Sequence, residues 1–447
     1  MKNIFITLPS GIAIRNFLTT DIINNVLNDD REVVIHFFLA EPDFYKEYLV
    51  HDRVFFKKIS LPNKTIFSSI LRASLYRRFH LINDNATSKI LRKKQIITNL
   101  KTKFLPFFGW PFPKSKKLYH YLRKKFYSLY TSEISVNRYF DQLNPELLIS
   151  THPTSVYEIN YTSVAQKRGV PIMGVVKSFD NITSKGFLPV VPSFFSVWNQ
   201  QMKEELVHIH AIDPIDISIN GAPQFDNYLN YSPKSNFSQF TKAFGLSGKR
   251  KIVLLTTTSE DINSSEPSLA DFLYKLSKKL NFDLLVRPHP ADDNDERFEN
   301  QISKGIAFQS FSKHNDLQKK ISTPNFISDL SETLFYTDIL INTASTTTLD
   351  AAIMNIPIIN IAFNIDDHKR DDDISRYYKL DHFKEITSSN ASSIAFDQTQ
   401  LTKSIEMYLN DPSYKADLRS KLKKDFIGFT GNASKNLSGQ IIRFLEK

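Results

Sequence analysis

Two doubly wound α/β domains are what this sequence predicts, and three observations carry the prediction. The chain has 447 residues, more than one core sustains, since single cores stop growing near ~250–300 residues. Short apolar runs of strand length alternate with helix-like stretches along both halves, the pattern of parallel sheets wound through crossover helices. Most of those runs end in small, hydroxylic or charged residues, and in such folds ligands bind at the carboxyl ends of the strands. A hydrophobic fraction of 41% with 23% charged residues fits a soluble globular chain and excludes a disordered or fibrous one.

The first series opens with KNIFITL (2–8), which ends in Pro9-Ser10-Gly11 and passes into a helix, as a βα unit does. VVIHFFL (33–39) and VFFKKI (54–59) are its sister strands. The alternation breaks between about 62 and 130 and resumes at ELLIST (146–151), followed by a helix to about Lys167. Next come PIMGVV (171–176), FFSVWN (194–199), a helix over Lys203 to His210, and IDISING (215–221). The polar stretch YSPKSN (231–236) marks the boundary, giving an expected first domain over 1–230 and a second over 231–447. The second series runs KIVLLTTT (251–258), FDLLVRPHP (282–290), ILINTAS (339–345) and PIINIAF (357–363), with terminal helices from about Gln398.

The net charge of +10 is concentrated in the break. Between Arg72 and Lys125 stand fifteen Lys or Arg against one acid, Asp84, so the rest of the chain is slightly acidic. Aromatics such as Tyr76, Phe104, Trp110 and Phe126 interleave with them, and Pro106, Pro111 and Pro113 break the helical pieces. A basic, aromatic helical insertion of this kind is expected to dock on an anionic membrane surface. A nucleic acid backbone is the rival polyanion, but no DNA- or RNA-binding motif accompanies the charge, so nucleic acid is not an expected partner. The absence of cysteine excludes disulfides, thiolate metal sites and a cysteine nucleophile. No run approaches the ~18 apolar residues that span a bilayer, and MKNIFITLPSG lacks the apolar core and cleavage site of a signal peptide. The expected location is cytoplasmic, peripheral on the inner face of the plasma membrane.

Three strand exits of the second domain carry anion-binding chemistry. In ILINTASTTTLDAA (339–352), Ser345, Thr346 and Thr347 are placed to cap a helix and leave its first N–H groups open to an anion, while Asp350, about one turn on, suits ribose hydroxyls. LLVRPHP (284–290) delivers Arg287, a planar fork for phosphate, and His289, a further donor, at a proline-stiffened turn. TTTSE (256–260), with Thr257 as its second residue, is a third possible cradle. In the first domain, His152 in LLISTHPTS and Asp180 in SFDN lie at strand exits, where either would serve as a general base toward an acceptor hydroxyl. The competing reading makes Asp180-Asn181 a turn former and His152 a supporting donor. Lys177 and Lys185 are candidate phosphate contacts, with solvation the commoner fate of a lysine. Asp292-Asp293 and Asp371-Asp372-Asp373 do not follow apolar strands as metal-binding acid pairs do, so they read as solvated loops and no metal site is expected.

RPHP at one strand exit and STTTLDAA at another resemble the donor domain of GT-B glycosyltransferases close to the CDP-glycerol glycerophosphotransferases and bacterial surface-polysaccharide transferases. INGAPQFD (219–226) resembles their interdomain element, and KSFDNITSKG (177–186) their S-W-D-N-x-T-S-K-G stretch, with Phe179 in the tryptophan place. YYKLDHF (377–383) and FTGNAS (429–434) match two further elements, Thr430 replacing an acid in the second. The resemblance spans about 146 to 447 and implies a GT-B fold, two Rossmann-like domains facing across a cleft. It implies transfer of a sugar from a nucleotide-activated donor to a lipid-linked or polymeric glycan acceptor, with no metal or other cofactor. Arg287, His289, the 345–347 turn and His382 would stabilise the leaving nucleotide. Glycerol phosphate transfer from CDP-glycerol is the rival within the fold. A nucleotide-sugar 2-epimerase is disfavoured, because the Gly-Thr-Arg-Pro-Glu type start of that family is missing after the first strand. A shared fold does not fix a reaction.

Overall fold

The computed structural model describes residues 1–83, 85–90, 115–229, 231–292, 296–309, 316–366, 374–428 and 431–446. The chain forms two compact units, Met1–Gln224 with Asn432–Lys447, and Phe225–Gly431.

The first unit is built on seven parallel strands, β1 (Lys2–Thr7), β2 (Val33–Leu39), β3 (Val54–Lys58), β4 (Leu147–Ser150), β5 (Ile172–Val175), β6 (Phe194–Val197) and β7 (Ile217–Ile219), in the order 3-2-1-4-5-6-7. Every residue of β2 is buried, as a strand covered on both faces requires. The two-residue period of the pleat sorts the side chains. Ile4, Ile6, Ile35, Phe37, Leu147 and Ile149 join one core cluster, and Phe5, Phe38, Leu148 and Ile172 join another with Val136, Phe140 and Tyr161. Leu437, Ile441 and Leu445 belong to the first cluster, beside Ile22 and Val26. The C-terminal helix Ala433–Phe444 therefore returns to the first unit, although its place in the sequence put it with the second.

The second unit holds six parallel strands, β8 (Ile252–Thr256), β9 (Asp283–Arg287), β10 (Ala307–Phe308), β11 (Ile339–Thr343), β12 (Ile358–Ile361) and β13 (Ser393–Ala395), ordered 10-9-8-11-12-13. Four of these strands match apolar runs expected as strands. The edge strands β10 and β13 were not anticipated, because two or three residues carry no readable period and pairing alone defines them.

Of the expected basic insertion, Asp84, residues 91–114 with Phe104, Trp110 and the three prolines, and the side chain of Lys116 lie outside the described residues. The described flanks are the helices Ile66–Ile82 and Lys116–Ser128, whose Leu71, Leu75, Phe79 and Phe126 pack with Val156, Ile159 and Phe187. The Tyr76 ring closes on Gly186, where a Cβ would stand 2.6 Å from it and where φ is +90°, so only glycine fits. No helix among the described residues is long and apolar enough to cross a membrane.

Candidate functional site

In the second unit the register aligns the strand exits: Arg287 is paired with Thr256, Thr256 with Asn342, and Asn342 with Asn360. Arg287 is buried, its guanidinium over the Phe326 ring at 5.3 Å. Burial lowers its pKa to about 10, against the pull of Asp329, Tyr228 and Asp350, so the Asp350 carboxylate lies within electrostatic reach of it. The His289 N–H donates to Thr257 Oγ1 at 2.9 Å, which ties the TTTSE loop to the RPHP turn. His289 Nδ1 accepts from the Ala291 N–H at 3.1 Å, so in the neutral ring Nε2 carries the proton and is the free donor. Burial lowers the His289 pKa, favouring that neutral form. Thr256 Oγ1 is buried and has no hydrogen-bond partner among the described residues.

The turn after β11 is held by an amide network. Asn342 Nδ2 donates to Ser345 Oγ (3.0 Å) and Thr348 Oγ1 (3.1 Å), and Asn360 Nδ2 to Asn342 Oδ1 (2.6 Å) and Thr348 Oγ1 (2.9 Å). The geometry corrects the expected cap. Thr346 has helical dihedrals and no capping bond at the start of the helix Thr347–Ile353, while Ser345 Oγ accepts from the Thr347 N–H at 3.3 Å. The Thr348 and Leu349 N–H groups bond to the Ser345 and Thr346 carbonyls. What the turn offers an anion is therefore its hydroxyls, with Thr346 exposed, rather than a row of open N–H groups. Asp350 is buried behind it. His382 is buried at the second position of the helix Asp381–Ser388, outside the hydrogen bonds just described. Tyr378 Oη, four residues earlier, donates to the Ile361 carbonyl at 2.6 Å and anchors the preceding turn to the end of β12.

Arg297, which the sequence did not single out, fastens this site from below. Its guanidinium donates to the Thr258 carbonyl (2.8 Å), the Asn263 carbonyl, Asp292 Oδ2 (3.1 Å) and Glu266 Oε2 (3.1 Å). Glu266 is fully buried, its pKa raised to about 8 by burial. Asp292 is thus a buried ion-pair partner rather than a solvated loop residue. Asp293 and Asp371–Asp373 lie outside the described residues. Among the described residues no group of three His, Asp or Glu is placed to hold a metal ion.

The first unit gathers its candidates at the exits of β1, β4 and β5. Glu158, buried in the turn after β4, accepts from Thr7 Oγ1 (2.9 Å), Ser150 Oγ, the Thr151 N–H (3.1 Å) and the His152 N–H (3.2 Å). Burial raises its pKa to about 7. His152 is pushed down to about 3 by burial and by Lys177 and Lys185, with Asp180 opposing; its ring is neutral at pH 7, and Nε2 is buried without a partner among the described residues. Asp180 accepts from Ser178 Oγ (2.6 Å), Asn181 Nδ2 (3.1 Å) and Ser184 Oγ (3.0 Å), and pairs with Lys185 Nζ at 3.3 Å. Its carboxylate shapes the turn, and the group left open here is His152. Lys177 is not solvated: it is buried, its Nζ 2.5 Å from Ser10 Oγ. Glu158 went unnoticed because one glutamate in YTSVAQ-type helical sequence carries no local signal; its donors come from the exits of two strands, β1 and β4.

A family model described as CDP-Glycerol:Poly(glycerophosphate) glycerophosphotransferase matches residues 179–443. No curated protein sequence matches significantly. Among solved structures, a putative UDP-N-acetylglucosamine 2-epimerase from Listeria monocytogenes aligns with a TM-score of 0.60 at 10% identity, covering 100% of this chain and 97% of that one. UDP-GlcNAc 2-epimerase from Neisseria meningitidis, bound to UDP-GlcNAc, aligns at 0.57 and 10% identity over 99% and 100% of the two chains. The wall teichoic acid polymerase TagF, soaked with CDPG, aligns at 0.51 and 14% identity over 100% and 89%. At such identities the likeness shows the fold, which is GT-B.

Proposed function

We propose, from the premise that this chain belongs to the CDP-glycerol:poly(glycerophosphate) glycerophosphotransferase family, that it moves glycerol phosphate from CDP-glycerol to a hydroxyl of a lipid-linked or polymeric acceptor in cell-wall polymer synthesis. The family match over 179–443, which includes the RPHP and STTTLDAA exits, carries the reading. In this reaction the acceptor oxygen forms a bond to the distal phosphorus of the donor. The bridging P–O bond breaks, CMP leaves with that electron pair, and the acceptor proton passes to a base.

In this proposal the second unit holds the donor. Arg287 and the His289 Nε2–H meet the phosphates, the hydroxyls of Thr257, Ser345, Thr346 and Thr347 complete the cradle, and charge growing on the leaving phosphate is met by donors already in place. Arg297, Glu266 and Asn342 hold those groups in position. His152 takes the acceptor proton. Burial, helped by two nearby lysines, keeps it neutral, its Nε2 has no partner among the described residues, and an arriving phosphoryl anion would raise its basicity. The reading requires no metal.

Transfer of a sugar from a nucleotide sugar is the second reading, favoured by the UDP-GlcNAc bound to the Neisseria relative. Membrane docking belongs to both. Exposed Arg72, Arg77, Lys117, Lys124 and Lys125 stand with exposed Ile66, Phe67 and Tyr121 on the two flanking helices, a mixture suited to an anionic headgroup layer. Incubation with CDP-glycerol and, separately, UDP-GlcNAc tests the proposal. CMP release dependent on a glycerol phosphate acceptor is expected; UDP release alone would replace the proposal with the sugar-transfer reading.

A further inference from the structure

Lys177 follows β5 and is 7% exposed, yet its ammonium has a single hydrogen-bond partner among the described residues, Ser10 Oγ at 2.5 Å. An ammonium offers three N–H donors. No carboxylate among the described residues lies within 4 Å of Lys177 Nζ. The two acids in electrostatic range are Glu158 and Asp180, and their oxygens are engaged elsewhere. Glu158 is turned to Thr7, Ser150 and the Thr151 and His152 N–H groups, and Asp180 to Ser178, Asn181, Ser184 and Lys185. Further positive charge, on Lys185 and Arg15, is also within range of Lys177. Taking an ammonium out of water costs several kcal/mol unless a partner and additional hydrogen bonds offset it. A fold that keeps one buried with two donors idle is short of an anion.

Two further observations point to the same place. Ser10, the partner of Lys177, is the N-cap of the helix Gly11–Leu18, and its Oγ accepts from the Ala13 N–H at 3.4 Å. The positive end of that helix thus lies at the same corner of the sheet. The buried, unpartnered His152 Nε2 lies within electrostatic range of Lys177.

We infer that Lys177, with Ser10, forms a phosphate subsite in the first unit that holds the phosphate of the acceptor's terminal unit and brings the hydroxyl of that unit to His152. The inference rests on the proposed transfer and narrows its acceptor to one ending in a phosphate ester. A phosphate at Lys177 has two possible sources, the acceptor or the donor's pyrophosphate, and binding measurements separate them.

The experiment measures the affinity of the full chain for sn-glycerol 3-phosphate, glycerol and CDP-glycerol by calorimetry, in wild type, Lys177→Met and Lys177→Arg. Glycerol 3-phosphate is expected to bind where glycerol does not, and Lys177→Met to weaken it about ten- to a hundredfold, the range for losing a hydrogen bond to a charged group. Lys177→Arg should retain most of the affinity, and CDP-glycerol affinity should be unchanged in both variants. In the wild type, glycerol 3-phosphate but not glycerol should slow acetylation of Lys177 mapped by mass spectrometry, a readout that does not depend on a variant folding. Equal glycerol 3-phosphate affinity in wild type and Lys177→Met, or none in either, overturns the subsite. A parallel loss of CDP-glycerol affinity overturns its assignment to the acceptor. If CDP-glycerol fails to bind at all while glycerol 3-phosphate depends on Lys177, the donor reading falls and the subsite stands.

Discussion

Glu158→Gln isolates one buried carboxylate whose protonation is coupled to folding. Glu158 is fully buried, and every group it touches is a donor: Thr7 Oγ1, Ser150 Oγ, and the Thr151 and His152 N–H groups. Burial raises its pKa from 4.5 to about 7. Below the unfolded value both states hold the proton and the residue contributes no pH dependence. As pH rises from about 4.5 to 7 the unfolded chain ionises first, so the wild type loses stability, and the loss is complete above the folded pKa. The shift corresponds to about 3 kcal/mol. Glutamine does not titrate, and its NH2 faces donors, a constant cost of roughly 1–3 kcal/mol. The stability advantage of wild type over Glu158→Gln should therefore fall by about 3 kcal/mol between pH 4.5 and 8. Urea unfolding followed by tryptophan fluorescence measures it. In a Trp110→Phe background the signal comes from Trp198, buried in the same unit against Phe179. Glu266, with a pKa raised in the same sense, cancels in the difference. A difference that stays flat across this range would show that Glu158 is ionised throughout and refute the reasoning. Because Glu158 also fixes the His152 backbone, the variant should lose turnover while keeping its affinity for CDP-glycerol.

Arg287→Ala and His289→Ala should each lower turnover ~10²-fold or more, the usual scale for a lost electrostatic stabiliser; near wild-type rates with a verified donor would show the donor site misplaced. His152→Ala should abolish transfer with donor affinity intact, whereas Asp180→Asn should combine lost activity with a destabilised first unit, since Asp180 joins four partners in one turn; loss of donor affinity in step with activity would make either residue a donor ligand. Turnover should survive excess chelator, and complete loss restored by Mg²⁺ or Mn²⁺ would bring Asp371–Asp373 into the mechanism. Sedimentation with liposomes should rise with anionic lipid, fall with salt, and weaken when Lys117, Lys124 and Lys125 are changed to Glu; equal partitioning to neutral and anionic liposomes would refute electrostatic docking.

Eleven strand runs were legible in the sequence because a buried parallel strand is a local signal, four to seven apolar residues closed by a polar exit. The same locality made RPHP and STTTLDAA readable as candidate exits of one sheet, and the register sets Arg287, Thr256 and Asn342 side by side across β9, β8 and β11. What sequence could not resolve there was which hydroxyl caps. Thr346 stands one residue before the helix, but Asn342 and Asn360 fix Ser345 instead.

By itself, then, the sequence determined the two parallel sheets, the strand exits with their candidate site residues, and the concentration of positive charge between Arg72 and Lys125, all of which follow from residues close together in the chain. The tertiary structure alone decided the electrostatic state of charged residues in both units. Lys177 reads as a solvated lysine until β5 and the helix after β1 bury it against Ser10, 167 residues away. Glu158 is an unremarked helix-start acid until Thr7, 151 residues away, closes over it. Asp292 reads as loop until Arg297 draws it inside. The free energy of a charge is set by the solvent it loses and the dipoles it gains, and both are supplied by parts of the chain that no window of sequence contains.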